Sequence, residues 1–191
     1  MHAFTQSRLA RRRCGQAGFS LIEVSIVTAI VLLIAVIGIP AIGGYVMENK
    51  VPKVGQELAR FVMHMRVNAG TSGDTPYENI GTANLAAMVA DSTVLTVATG
   101  GSVLHGLGSG GTVEVESADA GAAFLVRLNQ VNHVACPAIA SVLQRVADRI
   151  TVEADGAAAV TVKDDATTYN ALSAESACAK GDVNQFEFHV S

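Results

Sequence analysis

Apolar residues run almost unbroken from Phe19 to Met47, 29 positions that include a single charge, Glu23. A helix needs about 20 apolar residues to cross the hydrocarbon core of a bilayer, so this run is long enough to span one. Beyond Met47 the pattern changes from apolar on all sides to amphipathic. Val51, Val54, Leu58, Phe61, Val62 and Met65 recur at steps of three and four, which places them on one helical face. Glu48, Lys50, Lys53, Gln56, Glu57 and Arg60 fill most of the remainder. Pro52 carries a cost in this half unless the helix bends there. Gly70 and the run Ser72-Gly73-Asp74-Thr75-Pro76 then supply strong stop and turn chemistry. The pattern predicts one long helix from about Phe19 to about Ala69, with its second half packed on a following sheet.

Residues 71–191 have shorter periods. Asn84–Ala90 suits a short helix. Val94–Ala98, Val103–His105, Thr112–Glu116 and Ala123–Leu128 suit strands, and Glu114 and Glu116 alternate with Val113 and Val115 as in a half-exposed one. From Asn132 to Arg149 the helical period returns through Val134, Ile139, Val142, Leu143 and Val146. Asn132 is placed to cap this helix and Pro137 is tolerated in its first turns. Ile150–Glu153, Ala158–Val162 and Phe186–Val190 are further strands, the last with Phe186 and Phe188 on one face and Glu187 and His189 on the other. The predicted fold class is α+β: a long N-terminal helix packed on a globular head with an antiparallel β-sheet. No internal repeat is present.

Charge changes the picture at the N-terminal end. Arg8, Arg11, Arg12 and Arg13 precede Gly18 with no acid among them, although the whole chain has a net charge of −4. The remainder carries nine Lys/Arg against seventeen Asp/Glu, net −8. An acidic head repels phosphate backbones at long range, so general nucleic-acid binding is not expected. Arginines just ahead of an apolar span stay cytoplasmic and send the C-terminal part of the chain outward. A secretory signal would have an apolar region of roughly 7–15 residues and a small-residue cleavage site. This run is about twice as long and has no such site at its end. A plain signal anchor fits the length but not Glu23, whose carboxylate costs about 2.5–3.5 kcal/mol at a helix centre, less near an end, and gives an anchor nothing. Of the three cysteines, Cys14 lies in the basic segment; its removal leaves Cys136 and Cys178, either a disulfide of an oxidising compartment or two buried thiols.

A carboxylate in an apolar helix ordinarily has a partner. Cleavage after Gly18 would create one, the α-amino group of Phe19, four residues from Glu23. The stretch Gly18-Phe19-Ser20-Leu21-Ile22-Glu23-Val24 resembles the processing motif of type IV prepilins and type II secretion pseudopilins. The resemblance implies that residues 1–18 are a leader removed by a prepilin peptidase, that Phe19 is then N-methylated, and that Glu23 pairs with the N-terminal amine of a neighbouring subunit. It also implies that 19–47 first spans the inner membrane, with the head in the periplasm, and later forms the core of an extracellular pilus, with 48–70 as its amphipathic continuation. The implied partners are other copies of the chain, the peptidase, the inner-membrane assembly machinery and the lipid bilayer before assembly.

Pro40, near Gly38, Gly43 and Gly44, marks a weak point of the helix, an ordinary kink on its residues alone. The resemblance adds melting of the helix there within filaments. In the head, Cys136-Pro-Ala-Ile, then Ile150-Thr-Val, then Cys178 and Phe186-Glu-Phe resemble type IVb pilins, nearest in character to toxin-coregulated and conjugative thin pilins. This implies a disulfide-bounded region, 136–178, on the filament surface. The eighteen-residue leader and Phe19 are closer to type IVa.

Other motifs carry little. Gly106-Leu-Gly-Ser-Gly-Gly111 has the spacing of a dinucleotide loop but precedes a strand rather than a helix, so it suggests a flexible hairpin loop. His2, His64, His105, His133 and His189 show no zinc-ligand spacing. Asp164-Asp165 and Asp155-Gly156 suit turns and miss the EF-hand spacing. No nucleophile–base motif is visible, so neither enzyme activity, metal nor cofactor is expected. The expected function is that of a major pilin polymerising into a type IV, IVb-like pilus that serves adhesion, aggregation, motility or mating contact. The alternatives are a type II secretion pseudopilin, a minor pilin, and a membrane-anchored binding module.

Overall fold

The side-chain register of one helix, α1 (Leu21–Ala69), decides how both parts of the chain are built. The computed structural model describes residues 18–70 and 73–191, with no side chain described at 39–41. The basic leader up to residue 17, with Cys14 and His2, and the turn residue Ser72 lie outside the described residues. By compactness the chain divides into residues 1–41 and 42–191.

In the first unit α1 starts at Leu21 and is helical through Pro40. Its hydroxyls are satisfied within the helix: Ser25 Oγ donates to the Leu21 carbonyl and Thr28 Oγ1 to the Val24 carbonyl, each at 2.8 Å. They therefore need no partner outside. None of the described side chains from Phe19 to Gly38 is buried, and Leu21 is 89% exposed.

In the second unit the predicted amphipathic face is the buried one. Val51, Val54, Leu58, Phe61 and Val62 are buried and Met65 is half-buried, while Pro52, Lys53, Gln56 and Arg60 face solvent. The helix passes through Pro52 without a break. It packs on a seven-stranded sheet formed by β1 (Thr96–Val97), β2 (Val103–Leu104), β3 (Thr112–Ala118), β4 (Ala123–Val131), β5 (Arg149–Ala154), β6 (Val160–Lys163) and β7 (Asn184–Val190). The spatial order is β1-β2-β3-β4-β7-β5-β6, and every neighbouring pair is antiparallel. The last strand thus enters the middle of the sheet. Along β7 Asn184, Phe186, Phe188 and Val190 are buried and the residues between them are half-exposed, the alternation expected of a strand with one covered face. Phe186 and Phe188 stack at 5.5 Å, and Phe61 of α1 meets Phe124 of β4 edge-on at 6.2 Å.

Among the described residues the head also has three short α-helices, α2 (Thr82–Met88), α3 (Cys136–Leu143) and α4 (Ala171–Ser176), and a 3-10 turn at Asp119–Gly121. The helix expected over 132–149 is α3 alone. Asn132 does not cap it: its Oδ1 accepts from the Val134 N–H and its carbonyl from the N–H groups of Ala135 and Cys136, so it closes a turn ahead of the helix. The far end stops where Lys163 Nζ donates to the carbonyls of Gln144 and Ala147, a cation satisfying late orphan acceptors. The helix α4 was not anticipated, yet its signal is present: Asn170 Oδ1 accepts from the N–H groups of Leu172 and Ser173 as an N-cap. The shorter strands differ at their ends. Only Thr96–Val97 of the expected 94–98 pairs, and β6 starts two residues and ends one residue later than expected, whereas β3 and β4 extend beyond Glu116 and Leu128 to Ala118 and Val131.

Candidate functional site

The residues singled out for assembly lie together at the start of the first unit. Gly18 and Phe19 precede α1, Phe19 is 79% exposed, and Glu23 sits in the first helical turn. Among the described residues Glu23 has neither hydrogen bond nor ion pair. With Phe19, Val24, Val27 and Thr28 it lines a shallow, mainly apolar groove. A helix apolar on every side is normally buried in something. This one is long and apolar enough to cross a membrane. Among the described residues nothing lies within 4 Å of a Cβ added at Gly38, Gly43 or Gly44. Each weakens a helix interior by roughly 0.5–1 kcal/mol relative to alanine. The backbone of Pro40 is helical.

In the head Cys136 and Cys178 form a disulfide, with their Cα atoms 6.1 Å apart. It ties the start of α3 to the loop after α4. Behind that loop stands Asn184, a buried polar residue that the sequence reading missed. Its Nδ2 donates to the Val131 and Ala179 carbonyls, both at 2.9 Å, and its Oδ1 accepts from the Ala179 N–H at 2.7 Å. Only the break in apolar alternation at the start of β7 could have hinted at it.

The glycine-rich segment 106–111 is the expected hairpin loop, between β2 and β3, and it makes specific contacts. Leu107 is buried, Ser109 N–H donates to Asp182 at 2.8 Å, and Asn132 also donates to Asp182, which holds that carboxyl below its usual range. A Cβ at Gly108 would fall 1.8 Å from the Gln130 carbonyl, and one at Gly111 2.3 Å from the His105 ring. Glycine is needed there for close approach, not for a phosphate. His105 is fully buried: Nδ1 accepts from the Leu107 N–H at 2.9 Å, and Nε2 lies 2.8 Å from the Asn129 carbonyl. That arrangement assigns the proton to Nε2 of a neutral ring. Burial lowers its pKa, against the raising effect of the bond to Asn129.

A second cluster joins the end of α1 to the sheet. Arg66 donates to both Asp148 oxygens, at 2.9 and 3.0 Å, and to the Ser191 carbonyl at 3.1 Å. Ser191 in turn donates to Asp148 through N–H and Oγ. Burial raises the Asp148 pKa, but the bonds from Ser191 and Arg66 outweigh it and leave the group below the usual value. Asp164 accepts from the N–H groups of Ala166 and Thr167, and Asp155 and Gly156 both have positive φ, so these acids serve turns. Among the described residues no group of three metal-binding side chains comes together.

The long apolar N-terminal helix and the antiparallel sheet head that its second half packs on define a pilin fold. The chain matches the family described as PilS N terminal over residues 61–191, and a comparison with curated proteins gives no match. It belongs to that PilS N-terminal family, which is related to type IV pilins. The match starts at Phe61, so it rests on the head and is independent of the Gly18–Val24 motif.

Proposed function

We propose that this chain is the precursor of a major type IV pilin, of the IVb kind, that polymerises through its apolar helix into a surface filament. The observation that carries the reading is Glu23: the single charge between Phe19 and Met47, without a partner among the described residues, on a helix whose other half belongs to a pilin-related head. In this reading the prepilin peptidase cuts after Gly18, Phe19 is methylated, and residues 19–47 wait in the inner membrane with the head in the periplasm. Assembly machinery then draws the helix from the bilayer into a bundle of copies. There Glu23 of one subunit meets the amine of another, and Pro40, Gly43 and Gly44 form the stretch that yields. The disulfide-bounded region 136–178 faces outward on the fibre. Adhesion, aggregation, motility or mating contact would follow from the whole fibre, and no chemistry in the head is required.

Mass spectrometry of the N-terminus tests the reading directly. The mature protein should begin at N-methylated Phe19 and lack residues 1–18. Electron microscopy should show surface filaments that disappear when the chain is deleted. An intact Met1, or a cut beyond Met47, would defeat the proposal.

A further inference from the structure

Lys50 and Lys53 stand three residues apart on α1 and line one wall of a groove, the other wall being β1 and β2 with Thr96, Leu104 and Gly106. Lys50 reaches across it: a Cβ added at Gly106 would lie 3.7 Å from the Lys50 Nζ. Among the described residues neither ammonium has a hydrogen bond or an ion pair. The arginines further along the same helix do have partners, Arg60 with Glu57 at 2.7 Å and Arg66 with Asp148 at 2.9 Å. Like charges at this spacing on a helix repel one another. The fold therefore concentrates positive charge in a groove and, among the described residues, pairs neither ammonium with an acid.

The rest of the head has the opposite surplus. Glu114, Glu153, Asp155, Asp165 and Glu175 have no ion pair among the described residues. Beyond Gly18 the chain carries nine basic side chains against seventeen acidic ones. The groove also borders β1, the two-residue strand at one end of the sheet, whose outer edge has no strand neighbour among the described residues. An occupant that suits both features carries carboxylates and a peptide backbone.

We propose that the Lys50–Lys53 groove is a docking site for carboxylates of a second copy of this chain. The inference rests on the filament reading, because it needs copies held side by side. Its rival is the phosphate of an anionic lipid, since the lysines follow closely on the apolar run and basic residues beside a membrane span attract such headgroups. The open strand edge favours protein, because a headgroup has no backbone to pair with it.

Zero-length carbodiimide coupling joins a lysine Nζ to a carboxylate carbon as an amide, the carboxylate oxygen leaving in the urea by-product. Applied to sheared wild-type filaments and to unassembled protein extracted in detergent, with peptide mass spectrometry as readout, it should link Lys50 or Lys53 to an aspartate or glutamate in the filaments only. Lys50→Glu with Lys53→Glu should lower filament yield by about tenfold or more at equal head folding, whereas Lys50→Arg with Lys53→Arg should keep it. Filaments without such links, or a normal yield from the glutamate pair, would overturn the proposal and leave the filament reading intact. Loss of membrane retention with no filament-specific link would give the groove to lipid phosphate instead. Absence of filaments from wild-type cells would remove both readings together.

Discussion

At the scale of single residues, the head depends on polar side chains that are buried and fully partnered. His105 is the sharpest case, because its two ring nitrogens face groups of opposite kind, an N–H donor and a carbonyl acceptor. Protonation would place a second N–H against the Leu107 N–H and charge a buried ring. The folded-state pKa is therefore below the ordinary value of about 6.5, and the unfolded chain binds the proton more readily. This contribution to stability is complete above about pH 6.5 and declines as the pH falls from there toward the folded-state value. NMR titration of the mature protein in detergent should give His105 a pKa below 6.5, and urea midpoints should fall over the same interval. A normal or raised value would contradict the assigned tautomer. Replacing His105 with Phe should remove this pH dependence while lowering stability at every pH, since each of the two orphaned backbone groups costs about 1–3 kcal/mol.

At the scale of elements, the contacts that matter are those between segments far apart in sequence. The Cys136–Cys178 bond closes a loop over a separation of 42 residues and holds α3 beside α4. In the chain-entropy account such a loop is worth about 4 kcal/mol, so Cys136→Ser should sharply reduce accumulation of the folded head. Thiol labelling of denatured, unreduced wild-type protein should find neither cysteine reactive. A different kind of contact lets α3 approach α1: a Cβ on Gly55 would fall 2.4 Å from Val142 Cγ1. Gly55→Ala gains about 1 kcal/mol of helix propensity but overpacks this contact at a cost of roughly 1–3 kcal/mol. We expect net destabilisation in thermal melts, relieved when Val142→Ala is added. Equal melting of the single and double variants would show the crossing to be looser than the structure places it. The apolar face from Val51 to Met65 and the alternation of β3 and β7 were legible in the sequence because each is set by a local period. Gly55, Asn184 and the clasp of Asp148 by Arg66 and Ser191 were not, because each answers to a partner many residues away. In the loop 106–111 the positive φ of Gly106 and Gly110 is a local requirement, but the close fit of Gly108 to Gln130 and of Gly111 to His105 again depends on a distant partner.

At the scale of the whole molecule, the two halves of α1 answer to different environments. The half from Val51 to Met65 finds its apolar partner in the head, and β7 must reach the middle of the sheet before that core is complete. The half from Leu21 to Ile37 finds none among the described residues, and in the proposed reading its partner is first the bilayer and then other copies. Glu23 distinguishes these two. In a bilayer a carboxylate is only a cost, and removing it eases insertion by up to a few kcal/mol. Were the helix only an anchor, Glu23→Ala would therefore be neutral or favourable. In a bundle of helices the cleaved amine of each Phe19 is also withdrawn from water, and a buried charge left without its partner is strongly unfavourable. The carboxylate then offsets that charge, and its loss acts on the polymer alone. We expect Glu23→Ala to leave export, membrane retention and the Cys136–Cys178 bond intact while filaments become scarce or absent. The comparison is between sheared surface fraction and membrane fraction, for wild type and variant grown side by side. A normal filament yield from Glu23→Ala would return Glu23 to an incidental charge and leave Phe19–Met47 an anchor.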